Sequence, residues 1–369
     1  MSRAAAPEPD VAEDPLPDAL DLTALQRAAA ARAMAYAYKV WGFGEDIGLR
    51  ALLEHSAATG AATAAHFVAD LVRPWCVART ELTNADHVAP GVVMLDLYQQ
   101  TGDEVYLAAA LRVAELHRWF PKVDGVAVHR PDLLELSSLV WVDCVALDAP
   151  FLARLARVTG DTEWLELGLA TLDAYLRVLR DSSRPLYRHG YDVAAGRRSP
   201  CLWGRGNGWA MHGLVDTLAE LPAHHTARKD LVAALRDQVD ELARLQHPDG
   251  LWHTILDDDT APLENSTAAF YASGVLKAAR LGLLDRDPRL DDMVDRAAGA
   301  LLAAVDPDGG LPISHATPIG SHTTYRNAPT GVFPWGQGPL VLTLIELGRR
   351  VAGTAQATNA RGSSRTGSA

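Results

Sequence analysis

The apolar residues of this chain recur at helical spacing over most of its length. Between residues 103 and 120, Leu107 and Leu111 fall on one stripe, which indicates an amphipathic helix. Asp103 suits the N-cap of that helix, and Gly102 suits the C′ position of the helix before it. The pattern therefore predicts an all-α protein.

The turn that separates these two helices recurs along the chain. Thr-Gly or Thr-Gly-Asp stands between two apolar-periodic segments at residues 59–60, 101–103 and 159–161, and residues 282–285 have a similar part later. Spacings of roughly 40–60 residues are typical of stacked helix–turn–helix units. Residues 250–256 are one of the few segments that resemble a strand, and they predict a short β segment within a loop.

Stacked helical hairpins have two common architectures. An open solenoid binds proteins on its concave face, whereas a closed (α/α)6 barrel wraps about six hairpins around a central funnel. The loops between these hairpins are long and carry Trp, His, Gly and Asp. Functional residues are commonly found on such loops of a rigid scaffold, so the loops favour the closed barrel.

Composition and charge exclude several functions. The formal net charge of −12 over 369 residues is unlike the basic surface of nucleic-acid-binding proteins, and no apolar run is long enough to predict a membrane span. Cys76, Cys144 and Cys201 form no CxxC pair, which argues against a zinc site or a disulfide framework and favours reduced thiols in the cytoplasm. We predict no metal, no cofactor, and a monomer or homodimer.

The two ends of the chain differ from the rest. Residues 1–21 are rich in proline and acidic residues, and residues 354–369 are small and polar, so both are predicted to be disordered tails. Residues 1–21 also lack the apolar region of a signal peptide. A single catalytic domain is predicted between the tails, over residues 22–353.

The most unusual segment runs from Trp203 to Trp209 and reads WGRGNGW. Its three alternating glycines disfavour a helix and fit a strand poorly, which predicts a loop with unusual φ angles that a ligand approaches closely. Arg205 offers a planar fork of donors for a carboxylate, and tryptophan rings suit the C–H faces of sugars. These residues suit a uronic acid; the alternative is a glycine-rich turn whose tryptophans pack on the core.

Asp143 follows the apolar residues Val140, Trp141 and Val142 at the expected start of a helix. It is either a structural N-cap or a partly desolvated carboxylate that can donate and accept a proton. The residues alone leave both interpretations open. Asp148 is expected to face solvent.

Less specific candidates lie in other loops. His189 precedes a glycine in HGYD, Asp86 and His87 precede a Pro-Gly turn, and Trp41 lies in the aromatic segment WGFGE. Each also has an ordinary structural interpretation as a surface or turn residue. The sequence contains no HExxH, Walker, GxGxxG or GxSxG motif, so metalloprotease, nucleotide-binding and serine-hydrolase functions lack support.

Taken together, the chain resembles glycoside hydrolase family 105, the unsaturated rhamnogalacturonyl hydrolases, and the related unsaturated glucuronyl hydrolases of family 88. The segments that carry the resemblance span nearly everything between the tails. They are YKVWGFGEDIG from residue 38, DHVAPG from 86, VWVDCVALDAPFLARLARVTGD from 140, HGYD from 189, WGRGNGW from 203, GLWHTILDD from 250 and LENSTAAFYASGVLKAARLG from 263. The most specific are WGRGNGW and the WVD segment.

The resemblance implies an (α/α)6 barrel without a metal. It implies that Asp143 is the general acid and base, that Asp86 is a second active-site aspartate, and that the pocket binds a small oligosaccharide with an unsaturated uronate. The implied substrate-binding residues are Trp41, His87, Trp141, His189, Trp203, Arg205, Asn207 and Trp209. The family usually has a Tyr or Phe and a Met after the catalytic aspartate, whereas this chain has Cys144 to Asp148, which predicts a smaller and more acidic pocket wall and a different substrate preference.

The implied reaction differs from that of ordinary glycosidases, which use two carboxylates. A lyase leaves a 4-deoxy-4,5-unsaturated uronic acid at the non-reducing end, and one carboxylate suffices to protonate C4 and to activate the water that adds to C5. Two alternatives stay open: another (α/α)6 sugar enzyme, such as an epimerase or a conventional inverting hydrolase, and a helical-repeat protein that binds without catalysis.

Overall fold

In a computed structural model, which describes residues 19–78, 86–130, 133–134 and 136–365, helices alternate between an inner and an outer ring. The inner ring consists of α2 (Phe43–Thr59), α4 (Gly91–Thr101), α6 (Asp148–Thr159), α8 (Gly204–Glu220), α10 (Asn265–Arg280) and α13 (Pro334–Arg365). The outer ring consists of α1 (Ala19–Met34), α3 (Thr63–Ala78), α5 (Glu104–Arg118), α7 (Thr162–Leu179), α9 (Arg228–Arg244) and α11 (Pro288–Ala304). Each inner helix packs against the next, and α13 closes the ring on α2, so the predicted (α/α)6 barrel is confirmed.

The ring closes where the first helix of the chain meets the last long helix. Helix α1 packs on α13, and Gln337 of α13 donates hydrogen bonds to the carbonyl oxygens of Ala29 and Gly309. Gly309 has φ +81°, and a Cβ there would lie 2.5 Å from the backbone of Ala28. The closure therefore depends on a glycine at this contact.

Short turns connect the inner helices α2, α4, α6, α8 and α10 to the outer helices that follow them, at one end of the barrel. Gly60, Gly102 and Gly160 end α2, α4 and α6 in the left-handed conformation, which glycine adopts at little cost. Asp103 caps α5 by accepting a hydrogen bond from Val105 N at 3.1 Å. The turns predicted from the sequence are confirmed.

Long segments precede the inner helices at the opposite end and carry the described β-strands. The strands pair as β1 (Lys122–Val123) with β2 (Val126–Ala127), β3 (Leu139–Trp141) with β4 (Gly190–Asp192) and β5 (Arg197–Arg198), β6 (Trp252–His253) with β7 (Leu263–Glu264), and β8 (Pro312–Ser314) with β9 (Thr330–Val332). All the pairs are antiparallel. Strand β6 confirms the short β segment predicted at 250–256. A short helix, α12 (His322–Arg326), lies between β8 and β9.

Ion pairs connect all six inner helices within the barrel. Charged groups that are largely removed from water need partners, because an unpaired buried charge is costly. The pairs are Asp96 with Arg154, Arg154 with Glu220, Asp216 with Arg50 and Lys277, Arg280 with Glu346, and Arg349 with Glu54. Burial acts to raise the pKa of Asp216, but Lys277 and Arg50 outweigh it and hold that pKa far below its usual value.

The domain bounds drawn from the sequence stay predictions. Helix α13 extends to Arg365, past the expected end of the barrel domain at 353, and α1 begins at Ala19, before its expected start at 22. Residues 1–18 and 366–369 lie outside the described residues. Among the described helices, none combines the length and the apolar character needed to cross a membrane.

Candidate active site

Asp143 and His189 are brought together by the antiparallel pairing of β3 with β4. Trp141 pairs with Gly190 in this ladder, and Val142 N donates to the carbonyl of His189 at 2.9 Å. Asp143 lies directly after β3 in a 3-10 helix (Val142–Ala146), and His189 lies directly before β4. Two loops that are distant in sequence thus meet at the end of the barrel that carries the long segments.

The Asp143 carboxylate is buried beside a neutral imidazole. Its exposed fraction is 2%, and its Oδ2 lies 3.5 Å from His189 Nε2. Burial lowers the pKa of His189 more than Asp143 raises it, so the ring is uncharged near neutral pH. Trp141, not Asp143, occupies the N-cap position, and no side chain caps the 3-10 helix. The N-cap interpretation of Asp143 is therefore wrong.

His189 is held from its other side by Tyr325, on α12. The Nδ1 atom of His189 and the Tyr325 hydroxyl lie 2.7 Å apart. Burial raises the pKa of Tyr325, so its hydroxyl keeps its proton and can donate or accept. When Tyr325 accepts from Nδ1–H, Nε2 is an acceptor for a protonated Asp143; when Tyr325 donates, Nε2–H can donate to the carboxylate. The same arrangement of Tyr325 and His189 is thus compatible with both the protonated and the ionised form of Asp143.

Five aromatic rings form a continuous row along the site, which we call the aromatic row. The His87 ring stacks on His129 at 5.5 Å, and His129 stacks on Trp141 at 4.8 Å. Trp141 meets the edge of His189 at 5.3 Å, and His189 lies 4.2 Å from Trp203. Together these contacts connect the loop before α4 to the start of α8.

Several buried polar atoms of the site have no hydrogen-bond partner within the described part of the chain. They are Asp143 Oδ2, His189 Nε2, Trp141 Nε1 and Trp209 Nε1. A folded protein normally satisfies such groups, so a concentration of them around one carboxylate indicates a place where a polar ligand or water binds.

The Trp203–Trp209 segment is not a loop. Helix α8 begins at Gly204, directly after Trp203 as its N-cap, and the φ angles of Gly204, Gly206 and Gly208 are not left-handed. The expectation of unusual φ angles is wrong.

The glycines of this segment are required by close packing. A Cβ on Gly204 would lie 2.6 Å from Thr267, one on Gly206 would lie 2.9 Å from Val142, and one on Gly208 would lie 2.6 Å from Phe270. Glycine therefore lets the first turns of α8 approach α10 and the 3-10 helix that carries Asp143.

The polar side chains of this segment are engaged by the protein. Nη1 of Arg205 donates to Ser314 O at 2.9 Å and Nη2 to His315 O at 2.7 Å, and the guanidinium lies over the Trp203 ring. Asn207 Nδ2 donates to Tyr187 O and Trp203 O, which uses both of its N–H groups. Arg205 therefore connects α8 to the end of β8, so it does not present the free carboxylate fork expected from the sequence. Asn207 has no free donor for a substrate.

Asp86 and Trp41 lie at the exposed side of the site. Asp86 is 20% exposed, its Oδ2 accepts from Phe43 N at 3.4 Å, and its Oδ1 lies 3.5 Å from Arg130. Burial raises the pKa of Asp86 more than Phe43 and Arg130 lower it. Asp86 N donates to the Trp41 carbonyl, and the Trp41 side chain is 36% exposed. Phe43 also contacts Trp141 and Trp209, which places Asp86 and Asp143 around the same aromatic residues.

His87, at one end of the aromatic row, forms a buried pair with Asp148. His87 Nδ1 lies 2.9 Å from Asp148 Oδ2, and neither side chain is exposed. The expectation that Asp148 faces solvent is wrong, because its partners come from segments distant in sequence. Cys144 is also buried, with Sγ 3.6 Å from His129 Nδ1. Asp148 therefore adds no acidic group to an exposed pocket wall.

Two groups of side chains have the composition of a metal site: His87, His117 and Asp148, and His87, His129 and Cys144. In the first group, the short contact between His87 Nδ1 and Asp148 is already a hydrogen bond. Cys76, Cys144 and Cys201 are buried free thiols.

Three residues that shape the site are not singled out by the sequence patterns. Tyr325 holds His189, Phe43 holds Asp86, and His129 completes the aromatic row. His129 and Tyr325 lie outside every recognised motif, and Phe43 was identified only as part of an aromatic loop. Their roles follow from contacts between distant segments.

The family model for Glycosyl Hydrolase Family 88 matches residues 24–351. The unsaturated rhamnogalacturonyl hydrolase YesR of Bacillus subtilis (strain 168) is 33% identical over 266 residues, which cover 70% of this chain and 75% of that protein. An unsaturated 3S-rhamnoglycuronyl hydrolase of Alteromonas sp. (strain LOR) is 28% identical over 180 residues, or 46% of this chain and 42% of that protein.

Solved structures share the fold. A possible member of glycoside hydrolase family 105 from Salmonella enterica has a TM-score of 0.83 at 24% identity, covering 94% of this chain and 100% of that chain. The unsaturated glucuronyl hydrolase of Bacillus sp. GL1 has a TM-score of 0.69 at 18% identity, covering 89% of this chain and 96% of that chain. These similarities confirm the architecture.

Proposed function

The chain belongs to glycosyl hydrolase family 88, and we propose that it removes a 4-deoxy-4,5-unsaturated uronic acid from the non-reducing end of lyase-generated oligosaccharides. The relative from Bacillus subtilis favours a rhamnogalacturonan-type disaccharide as the substrate. The observation that carries the catalytic part is the buried Asp143 carboxylate, whose Oδ2 has no hydrogen-bond partner among the described residues and lies 3.5 Å from His189.

The proposed reaction is a hydration of the C4=C5 double bond. Protonated Asp143 donates its proton to C4, and the positive charge at C5 is shared with the ring oxygen. Asp143, now a carboxylate, takes a proton from a water whose oxygen forms a bond to C5. A single carboxylate thus acts first as general acid and then as general base.

Cleavage of the glycosidic bond follows from the hydration. The new C5 hydroxyl makes a hemiketal, which opens by breaking the bond between C5 and the ring oxygen and leaves a ketone at C5. C1 is then a hemiacetal, and it releases the neighbouring sugar as an alcohol while becoming an aldehyde. One water molecule is consumed in total, and no electron is transferred.

The surroundings of Asp143 suit both of its protonation states. The uncharged His189 ring can accept from the acid form or donate to the base form, because the Tyr325 hydroxyl accepts or donates accordingly. Asp86, which is partly exposed next to Trp41, is proposed to orient the sugar or the attacking water. The exposed Trp41 ring is proposed to provide an apolar face for the sugar. Trp203 and Trp209 are buried, and Trp203 is covered by Arg205 and His189, so these two rings are proposed to support the pocket wall rather than to contact the sugar.

The test uses the absorbance of the conjugated double bond near 235 nm. Unsaturated disaccharides from lyase-treated rhamnogalacturonan, ulvan, chondroitin and heparin are incubated with the protein, and we expect the absorbance of at least the first to fall with time. The matched control is the same disaccharide with a saturated uronic acid, which hydration cannot cleave. Cleavage of the saturated control would instead support a conventional hydrolase, and an unchanged absorbance with every substrate would contradict the proposal.

We propose further that the protein acts in the cytoplasm as a monomer or homodimer. The three free, buried cysteines are consistent with a reducing compartment, and disaccharides are small enough to be imported. Cell fractionation and size-exclusion chromatography with light scattering test these two statements separately.

A further inference from the structure

The buried carboxylate of Asp148 lies at the junction of four segments. His87 Nδ1 lies 2.9 Å from its Oδ2 and 3.1 Å from its Oδ1, and the Tyr175 hydroxyl donates to Oδ2 at 2.8 Å. His117 Nε2 is 4.0 Å away. The loop before α4, helix α5, the start of α6 and helix α7 thus converge on one side chain, to which the proposed reaction gives no role.

Asp148 is an acceptor only. Burial acts to raise its pKa, but His87, His117 and the hydrogen bonds from His87 and Tyr175 outweigh burial and lower it. Because an ionised carboxylate has no proton to donate, His87 Nδ1 must be the donor. The hydrogen bond therefore fixes both the tautomer and the orientation of the His87 ring.

His87 has an uncommon backbone conformation. Its φ angle is +53°, in the left-handed region, which residues other than glycine adopt infrequently, although asparagine, aspartate and histidine adopt it more often than the rest. The turn continues with hydrogen bonds from Ala89 N to Asp86 O and from Gly91 N to Val88 O. A change of φ at His87 would redirect the chain on both of its sides.

Asp86 is the residue immediately before His87, and among the described residues its carboxylate has two contacts of modest length. The Phe43 amide is 3.4 Å away and Arg130 is 3.5 Å away. The position of the Asp86 carboxylate therefore depends on the backbone angles of the turn. The His87 ring also supports one end of the aromatic row through its stacking on His129.

From these contacts we propose that Asp148 is a positioning residue for the active site: through His87 it fixes the left-handed turn that places the Asp86 carboxylate. The proposal rests on the proposed function for its kinetic test and on the geometry alone for its structural test. A core residue that only adds stability would not be coupled to Asp86.

The kinetic test is a double-mutant cycle of Asp148→Asn with Asp86→Asn, with kcat and KM measured from the absorbance loss near 235 nm. We expect Asp148→Asn alone to lower kcat about tenfold, and to change kcat less than about twofold when Asp86 is already substituted. Equal factors in both backgrounds would overturn the proposal. Tyr175→Phe is the matched control, because it removes a hydrogen bond to the same carboxylate without touching His87; it is expected to lower the unfolding temperature and to leave kcat unchanged.

A second variant covers the case in which Asp148→Asn does not fold. His87→Asn keeps a residue that tolerates the left-handed region and removes the imidazole that reaches Asp148. We expect the same loss of kcat, and a folded His87→Asn protein with wild-type kcat would overturn the proposal.

Crystal structures of the wild type and of whichever variant folds provide a readout that does not need turnover. We expect either variant to lose the contact between Asp86 and Phe43 N, and Asp148→Asn to lose the left-handed φ at residue 87 as well. If the contact between Asp86 and Phe43 N is unchanged, the proposal is wrong even when the wild type is inactive on every unsaturated disaccharide. Inactivity of the wild type with the predicted structural change would instead contradict the proposed function alone. Stoichiometric Zn²⁺ in the purified protein, lost with Asp148→Asn, would also overturn the positioning role.

Discussion

Asp143 and Asp148 are five residues apart and both are buried, yet their carboxylates have opposite surroundings. Asp148 receives hydrogen bonds from His87 and Tyr175, whereas Asp143 Oδ2 has no such partner among the described residues. A carboxylate that already accepts hydrogen bonds is stabilised as the anion, so its protonation state changes little. A carboxylate with an open oxygen can exchange a proton with a ligand, so burial alone does not identify a catalytic group.

The surroundings of the two carboxylates each include a tyrosine hydroxyl. The Tyr175 hydroxyl donates directly to Asp148, whereas the Tyr325 hydroxyl contacts His189, which lies next to Asp143. An imidazole lies between hydroxyl and carboxylate only in the second case. Equivalent Tyr→Phe substitutions can therefore compare a structural site with the proposed reactive one.

The largest expected effect on stability is the loss that follows removal of Asp148. Asp148→Ala leaves the buried donors of His87 and Tyr175 unsatisfied, at about 1–3 kcal/mol each, so the free energy of unfolding should fall by about 3 kcal/mol or more. Urea denaturation followed by circular dichroism measures it. The same change at Asp143 is expected to cost less, and an equal loss at both positions would remove the contrast between them.

Removing the tyrosine hydroxyl next to His189 should affect catalysis. Tyr325→Phe deletes the group that lets His189 bond to Asp143 in both protonation states, and we expect kcat to fall about tenfold, since one buried hydrogen bond contributes about 1 kcal/mol or somewhat more. Initial rates near 235 nm provide the measurement. The role of Tyr325 in catalysis would be contradicted if Tyr325→Phe kept the wild-type kcat while its unfolding temperature fell as far as that of Tyr175→Phe.

Acid should reduce the difference in stability between the wild type and Asp148→Asn. The pKa of Asp148 is lowered in the folded protein from its ordinary value of 3.8, so its stabilising effect is present above that value and is lost as the pH falls through the folded pKa. We expect the two unfolding free energies to converge below about pH 3.8. A difference that is constant from pH 7 to pH 3 would show that folding does not lower the pKa of Asp148.

No effect is expected from metal removal. The Asp148 carboxylate and His87 Nδ1 are hydrogen-bonded to each other, and the proposed reaction needs proton transfer alone. Dialysis against EDTA should leave both kcat and the unfolding temperature unchanged. Loss of either, with recovery on addition of Zn²⁺, would show that the Asp148 group holds a metal.

The fold could be predicted from the sequence because its signals are local. Gly102 ends α4 and Asp103 caps α5 within two adjacent positions, and this turn recurs in the chain. Some residues of the candidate site could also be predicted, since Asp143 and His189 lie in recognisable segments that the pairing of β3 with β4 brings together.

The errors concern contacts between distant segments. The glycines at 204, 206 and 208 predict unusual backbone angles, but in the structure they provide room for Thr267, Val142 and Phe270. The contact of Tyr325 with His189 spans 136 residues, and Asp148 is buried by partners that no local pattern reveals. The roles assigned to the individual site residues remain predictions.

The most direct test of the account is the rate of Asp143→Asn on an unsaturated disaccharide that the wild type converts, with its unfolding temperature measured in parallel. The substitution keeps the size of the side chain and removes its ability to transfer a proton. We predict a folded protein whose kcat falls by about 10²–10⁴-fold. A folded Asp143→Asn protein that keeps more than about 1% of the wild-type rate would contradict the assignment of Asp143 as general acid and base.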